Sequence, residues 1–466
     1  MPRSLSAALN ERMWPAPKLL YLRSARNESV GIRKEALNHH RGSGAAQERM
    51  STMSDVFSSP KDQPVQPNGR HVVGIDIGLQ THAAAGLTTA GQLFGRQLAF
   101  TNDRAGIDRL EKDLLKPLGG AAKLLIGMEA TGHYWMPLYF ELQRRGYYSI
   151  VINPIQTRAK FRTRIRKTKT DKLDARSIAR LVLSGEAHAA RIPSEEVFAL
   201  RLQARQRWRL VDLSSDLQRF AYSLIDRLFP EFHDHFCSPL NATGRGLLRQ
   251  LGLAPRALAD QPDQVMAVAK TASRKRIPAV SITALLDKAR HSIAPRRAEN
   301  VLIAQLRDTL TLIEQIETQT VALETELAAL PAVSSSPLQS LGLSVALIAT
   351  IHAEADPILD FKHPWQFAAY AGLDPSCYDS GNMHGTRTPI SKRGSPYLRR
   401  ALYLGACSVY RRHRTFQSLY QAHRKKGRHH TSALVIVAHK LARVIWRLLT
   451  DRRDFRARQP KPPTTK

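Results

Sequence analysis

Apolar residues begin to recur with a definite period at His71. The run His71-Val72-Val73-Gly74-Ile75-Asp76-Ile77-Gly78 is rich in β-branched residues and closes on an acid and a glycine, the pattern of a buried strand with an exposed end. Thr81–Leu87 and Gln92–Phe100 read as two further strands, forming an antiparallel meander. A helical stretch then leads to the apolar run Lys123–Met128, which Glu129-Ala130-Thr131-Gly132 closes. The amphipathic Tyr134–Arg145 predicts a helix and Tyr148–Ile152 a fifth strand. Strands first in a meander, then alternating with helices, predict a mixed α/β sheet. Thr170-Asp171-Lys172-Leu173-Asp174-Ala175 opens a helix, with Thr170 as N-cap and Leu173, Ile178, Leu181 and Val182 as its apolar stripe.

Beyond that point the period is helical. Pro193-Ser194-Glu195-Glu196 marks a helix start, and Leu210, Leu213, Leu217, Phe220, Leu224 and Leu228 continue one seam. From Leu302 the spacing is heptad-like, through Leu306, Thr309, Ile313, Ile316, Thr320, Leu323, Leu327 and Leu330, until Pro331 ends it. Two long seams predict a coiled coil or helical hairpin and suggest self-association. Residues 230–295 carry no legible pattern. The expected organisation is a disordered extension over 1–70, an α/β catalytic domain over 71–190 and a helical connector over 191–333. A small, mostly helical domain over 334–450 and a basic tail over 451–466 complete it.

Charge narrows the function. The 466 residues hold 70 Lys and Arg against 39 Asp and Glu, a net charge of +31. Such an excess predicts a polyanionic partner, most simply nucleic acid. No run approaches the roughly 18 apolar residues of a membrane-spanning helix. Cys237, Cys377 and Cys407 lie far apart and show no C-x-x-C spacing, which argues against a disulfide framework or a cysteine zinc site and fits a reducing cytoplasm. The stretch 157–170 contains Arg158, Lys160, Arg162, Arg164, Arg166, Lys167 and Lys169 and no acid. Lys392, Arg393, Arg399 and Arg400 form a second basic group.

Four carboxylates stand out by position. Asp76 and Glu129 fall at strand ends, and Asp171 and Asp174, at i and i+3, share one helix face. Together they can bring hard oxygen donors to one end of a sheet, the ligand set that Mg²⁺ takes for work on phosphate esters. Each alone also reads as a turn former or a helix-dipole acid.

The succession Val73-Gly74-Ile75-Asp76-Ile77-Gly78, Gly127-Met128-Glu129-Ala130-Thr131-Gly132 and Lys169-Thr170-Asp171-Lys172-Leu173-Asp174-Ala175 resembles the RuvC-like (RNase H-like) amino-terminal domain of the IS110-type DEDD insertion-sequence transposases, relatives of the pilin-gene invertase. Phe367-Ala368-Ala369-Tyr370-Ala371-Gly372-Leu373-Asp374-Pro375, Ser380-Gly381 and Ile390-Ser391-Lys392-Arg393-Gly394-Ser395-Pro396-Tyr397-Leu398-Arg399-Arg400 resemble that family's second, serine-bearing domain. The resemblance implies a recombinase for mobile DNA, guided to its sites by an RNA. Asp76, Glu129, Asp171 and Asp174 would hold Mg²⁺, and Ser380 would be the nucleophile that joins covalently to DNA, with Ser376 and Ser391 as its competitors. The chain departs from the family at Leu79-Gln80-Thr81, where a lysine is common, and at Ser344, where a glycine is usual. The alternatives are an RNase H-like nuclease working with water alone, such as a junction resolvase, and a non-catalytic nucleic-acid-binding protein.

Overall fold

The computed structural model describes residues 64–456, apart from 131, 155, 158–170, 237, 253, 275, 296, 377, 378, 381, 382 and 385–388, and apart from the side chains of 171–173, 379, 380, 383 and 384. The expectations for most of the amino-terminal extension and of the basic tail, and for Arg162, Arg164, Arg166, Lys167 and Lys169, therefore lie outside the described residues. Chain contacts separate two units. One runs to Ser194 and includes Leu359–Gln366; the other comprises Glu195–Ile358 and the chain from Phe367 onward.

The first unit is built on five strands: β1 (His71–Asp76), β2 (Thr81–Leu87), β3 (Leu93–Thr101), β4 (Leu124–Glu129) and β5 (Ser149–Ile152). Their order is β3-β2-β1-β4-β5. The first three form an antiparallel meander, while β4 runs parallel to β1 and β5 parallel to β4. This is the mixed α/β sheet that the sequence pattern predicts. Helices α1 (Arg104–Leu110), α2 (Trp135–Arg144) and α3 (Asp171–Leu183) cover the sheet.

Strand alternation sorts the core into two layers. Val73, Ile75, Ile126 and Met128 pack with Ile107, Leu110 and Leu138 from α1 and α2. Val72, Leu125, Ile150 and Ile152 pack with Ile178, Ala179 and Val182 from α3. Gly74 and Gly127 lie on the α3 side, and there the helix rests on the backbone itself. A Cβ on Gly74 would fall 2.2 Å from the Ala175 carbonyl oxygen, and one on Gly127 would fall 2.6 Å from Val182 Cγ2.

The second unit contains α4 (Glu195–Leu228), α5 (Ala242–Leu251), α6 (Pro255–Asp260), α7 (Pro262–Ala272), α8 (Ala279–Arg290), α9 (Glu299–Ala329) and α10 (Val345–Ala355). The short α11 (Pro364–Tyr370) leads into a two-stranded ladder, β6 (Asp379–Ser380) with β7 (Met383–His384). Helices α12 (Pro396–Arg412), α13 (Arg414–Lys425) and α14 (His430–Asp451) end the described chain. The two long seams pair as an antiparallel hairpin, with an ion pair between Arg207 near the start of α4 and Glu324 near the end of α9. The heptad residues Leu306, Thr309, Ile313, Ile316, Leu323 and Leu327 are buried within the chain. That seam is filled by α4 and so no longer argues for a second copy. The illegible 230–295 stretch holds the four short helices α5–α8, which close a core over Leu224, Phe229, Leu306 and Leu310. Among the described residues no helix is long and apolar enough to cross a membrane.

Candidate active site

The register of the first unit explains how two of the predicted carboxylates meet. Ile75 pairs with Met128 in the parallel β1–β4 ladder, so Asp76 and Glu129, the next residues, end neighbouring strands about 5 Å apart. Alternation directs both toward the face that α3 covers, because Asp76 shares parity with Val72 and Gly74, and Glu129 with Leu125 and Gly127. Asp174 is buried on α3, immediately before Ala175, whose carbonyl lies over Gly74. Asp171 opens the same helix.

Several residues that the sequence did not single out hold this end of the sheet. The Thr157 hydroxyl donates to Glu129 Oε2 at 2.8 Å and lies 3.0 Å from the Pro154 carbonyl oxygen. The Gly78 N–H, two residues past Asp76, donates to His82 Nδ1 at 3.2 Å. Burial holds His82 below the ordinary histidine range, with the Asn102 side chain opposing it, so the ring stays neutral and keeps Nδ1 as an acceptor. The Asn102 N–H donates to the Gln80 carbonyl at 3.2 Å, and its Nδ2 donates to the Tyr134 carbonyl at 3.2 Å. Asn102 therefore bridges the loop after Asp76 to the loop after Glu129.

Among the described residues, no three carboxylate, histidine or cysteine side chains close into a metal cage. Mg²⁺ keeps several waters and is held by one or two carboxylates together with substrate phosphates. Two carboxylates on adjacent strand ends, with a third buried on the covering helix, fit such an open site.

In the second unit Ser380 pairs with Met383 across the β6–β7 ladder. An antiparallel stem carries this hairpin. Pro375 bridges Ile390, the Ser391 N–H donates to the Asp374 carbonyl at 2.8 Å, and the Lys392 N–H donates to the Gly372 carbonyl at 3.1 Å. Both rival serines are part of the stem. The Ser376 hydroxyl donates to the Pro389 carbonyl at 2.8 Å, and the Ser391 hydroxyl donates to the Asp374 carboxylate.

The second basic group divides. Lys392 and Arg393 are exposed beside the stem. Arg399 is buried and donates to the Ala371 carbonyl at 3.2 Å, while burial depresses its pKa. Arg400 makes two hydrogen bonds to Asp212 and stacks 4.4 Å from the Trp208 ring centroid. Charge on Arg399 and Arg400 is thus engaged inside the unit, because each guanidinium has a partner distant in sequence. Tyr403 and Trp446 are buried, Tyr397 lies against Arg205, and Tyr410 packs on Tyr420. His429 is exposed, but the half-buried His430 turns to Tyr420.

Residues 73–230 match a DEDD IS110-type family described as transposase, and residues 338–421 match the transposase IS116/IS110/IS902 family. Two stretches of the chain are thus similar to two domain families of IS110-type transposases. It is 27% identical to the insertion element IS110 uncharacterized 43.6 kDa protein of Streptomyces coelicolor, over 34% of this chain and 40% of that one. It is 31% identical to the insertion element IS116 uncharacterized 44.8 kDa protein of Streptomyces clavuligerus, over 27% of this chain and 30% of that one. A probable family 20 transposase of Pseudomonas aeruginosa is 26% identical over 71% of this chain and 86% of its own length. The match therefore spans less than half of either Streptomyces protein. The solved structure of T. thermophilus RuvC in complex with Holliday junction substrate is 12% identical, covering 26% of this chain and 99% of that one, with a TM-score of 0.20, too low to bear on the fold.

Proposed function

We propose that the chain is the transposase of an insertion element, a DNA recombinase that cuts and rejoins strands through a covalent serine–DNA intermediate. The observation that carries the reading is the convergence of Asp76 and Glu129 on adjacent strand ends under α3, in a chain that also bears the family's second domain. Divalent Mg²⁺ at these carboxylates would stabilise charge on the scissile phosphate. Thr157 orients Glu129, and Asn102 ties the loop after Asp76 to the loop after Glu129, so the oxygen donors are set before substrate arrives.

Ser380 is the nucleophile in this reading. Support comes from its rivals, since Ser376 and Ser391 spend their hydroxyl protons on the stem. The Ser380 Oγ–phosphorus bond forms as the bond from phosphorus to the departing deoxyribose oxygen breaks, and the serine proton ends on that oxygen. One ester replaces another, so the reverse step rejoins strands without an external energy source. Two strands must be cut together for exchange, so the active species contains more than one copy. Target choice is assigned to a structured RNA bound by the exposed basic surface.

The reading is tested by Asp76→Asn and Glu129→Gln. Both variants should lose DNA cleavage in Mg²⁺ while their DNA affinity stays near that of the parent, because the removed charge is local. Full cleavage by either would refute the carboxylate site.

A further inference from the structure

The loop that leaves Glu129 carries a run of aromatic rings. Gly132 turns it with a positive φ of 56°, His133 and Tyr134 follow, and α2 begins at Trp135. Only four residues separate His133 from Glu129, so their Cα atoms lie at most about 14 Å apart. The support beneath the histidine is fixed at three points. Tyr134 packs against the core layer of Ile107, Leu110 and Leu138. Its carbonyl accepts from Asn102 Nδ2, and the Asn102 N–H reaches Gln80 in the loop after Asp76. Trp135 Nε1 donates to the Gly132 carbonyl at 3.2 Å and closes the turn, while its ring meets Tyr139 edge-on at 5.7 Å. On this base the His133 ring lies 4.4 Å from the Tyr134 ring, tilted by 40°. His133 is exposed, so one face of its imidazole rests on tyrosine and the other is open to solvent. Among the described residues its ring nitrogens have no hydrogen-bond partner.

We propose that His133, backed by Tyr134, is a stacking platform for one unpaired base of the DNA strand being cut, close to the scissile phosphate. The proposal rests on the reading of the carboxylate end as the cleavage site and deepens it, because it makes a locally opened strand, rather than paired duplex, the form of substrate taken there. In a duplex each base is covered on both faces by its neighbours. A ring beside the sheet end can therefore stack only on a base that has left the helix. Position favours this contact over a phosphate contact. A strand brought against Asp76 and Glu129 is repelled through its phosphates, whereas a stacked base carries no charge to repel. Every base also has a π-face, so the platform holds the strand without reading its sequence. A polar loop would serve equally well to connect β4 to α2; it would not need an exposed ring laid on a second ring that is itself anchored to the core. The anchoring ties the platform to both carboxylate-bearing loops through Asn102, so a base held on His133 fixes the strand relative to Asp76 and Glu129 together.

The test uses the full chain and element-end DNA with a short unpaired bubble over the cut. In the first arm 5-iodouracil is placed at each bubble position in turn and irradiated. Attachment to His133 or Tyr134, mapped by mass spectrometry, should arise from one position. In the second arm the base at that position is removed to leave an abasic site. The parent should then cut about tenfold more slowly. His133→Ala should be slower by a similar factor on the intact base and should lose nothing further on the abasic strand, because the two changes remove the same contact. His133→Phe should restore both the rate and the response to the base, which separates stacking from a general effect on the loop. Attachment elsewhere from every bubble position, or losses that multiply, would overturn the platform. Attachment at His133 from an iodouracil-bearing RNA hairpin and never from the DNA would overturn its assignment to the cut strand. A parent that attaches at His133 but cuts no DNA would refute the cleavage reading and leave the stacking contact standing, so the two failures are distinguishable.

Discussion

Gly74→Ala tests whether the seating of α3 on β1 sets the carboxylate geometry. The added methyl would stand 2.2 Å from the Ala175 carbonyl oxygen and 2.3 Å from the Ala179 nitrogen. Both are main-chain atoms and neither can rotate aside. Ordinary contact begins near 3.5 Å, so α3 must lift by about 1 Å. Overpacking of this kind costs about 1–3 kcal/mol. In a unit of this size each kcal/mol lowers the melting temperature by about 2–4 °C. The same displacement carries Asp174 away from the strand ends, and a misplacement of about 1 Å at a reacting centre costs roughly 100-fold in rate. Gly127→Ala is the comparison, because its methyl meets Val182 Cγ2 at 2.6 Å, a side-chain tip that can turn. Thermal melts by circular dichroism and cleavage of labelled DNA well below both melts should separate the two. Gly74→Ala should lose about two orders of magnitude in cleavage, and Gly127→Ala about one or less. Equal melting and equal cleavage would refute the argument that backbone contact positions α3.

Thr157→Val removes the donor to Glu129 while keeping shape, and should lower cleavage about tenfold, with Thr157→Ser restoring it; an unaffected rate would mean that the bond does not orient the carboxylate. Arg400→Ala strips the partner from Asp212 and uncovers Trp208, so it should cost about 1–3 kcal/mol in chemical denaturation and leave the salt slope of DNA binding unchanged, whereas Lys392→Ala with Arg393→Ala should do the reverse. His352, whose Nε2 lies 2.8 Å from the Ser336 hydroxyl, is pushed below its ordinary value of 6.5 by burial, against the opposing Asp356. The unfolded chain therefore takes up a proton near pH 6.5 that the folded chain refuses until lower pH, and stability should fall as pH drops below that value, less steeply in His352→Gln.

Local period made the five strands legible, since each is a short run bounded by turn residues, and it located α3 from its apolar stripe. The same period could not say that Gly74 and Gly127 lie beneath that helix, because the Gly74 contact joins segments about a hundred residues apart. Asp76 and Glu129 were legible as strand ends; Thr157 and Asn102 were not. Thr157 reads as the start of a basic stretch, and Asn102 acts across 32 residues on a backbone carbonyl. Charge runs misled at Arg399 and Arg400, whose partners include Asp212, 188 residues away from Arg400. The heptad of α9 was read correctly as a seam, but a seam in one chain does not reveal whether α4 or another copy fills it. Ser380 is favoured over Ser376 and Ser391 in the sequence only by the resemblance and the glycine after it; that the two rivals bond within the stem is not legible there.

The most direct measurement stops a reaction of the chain with element-end DNA in denaturant and maps any residue left covalently attached to a nucleotide. The account predicts a protein–DNA adduct at Ser380, lost in Ser380→Ala and retained in Ser376→Ala and Ser391→Ala. Cleaved DNA with free ends and no adduct would contradict serine catalysis and favour hydrolysis at the carboxylates alone.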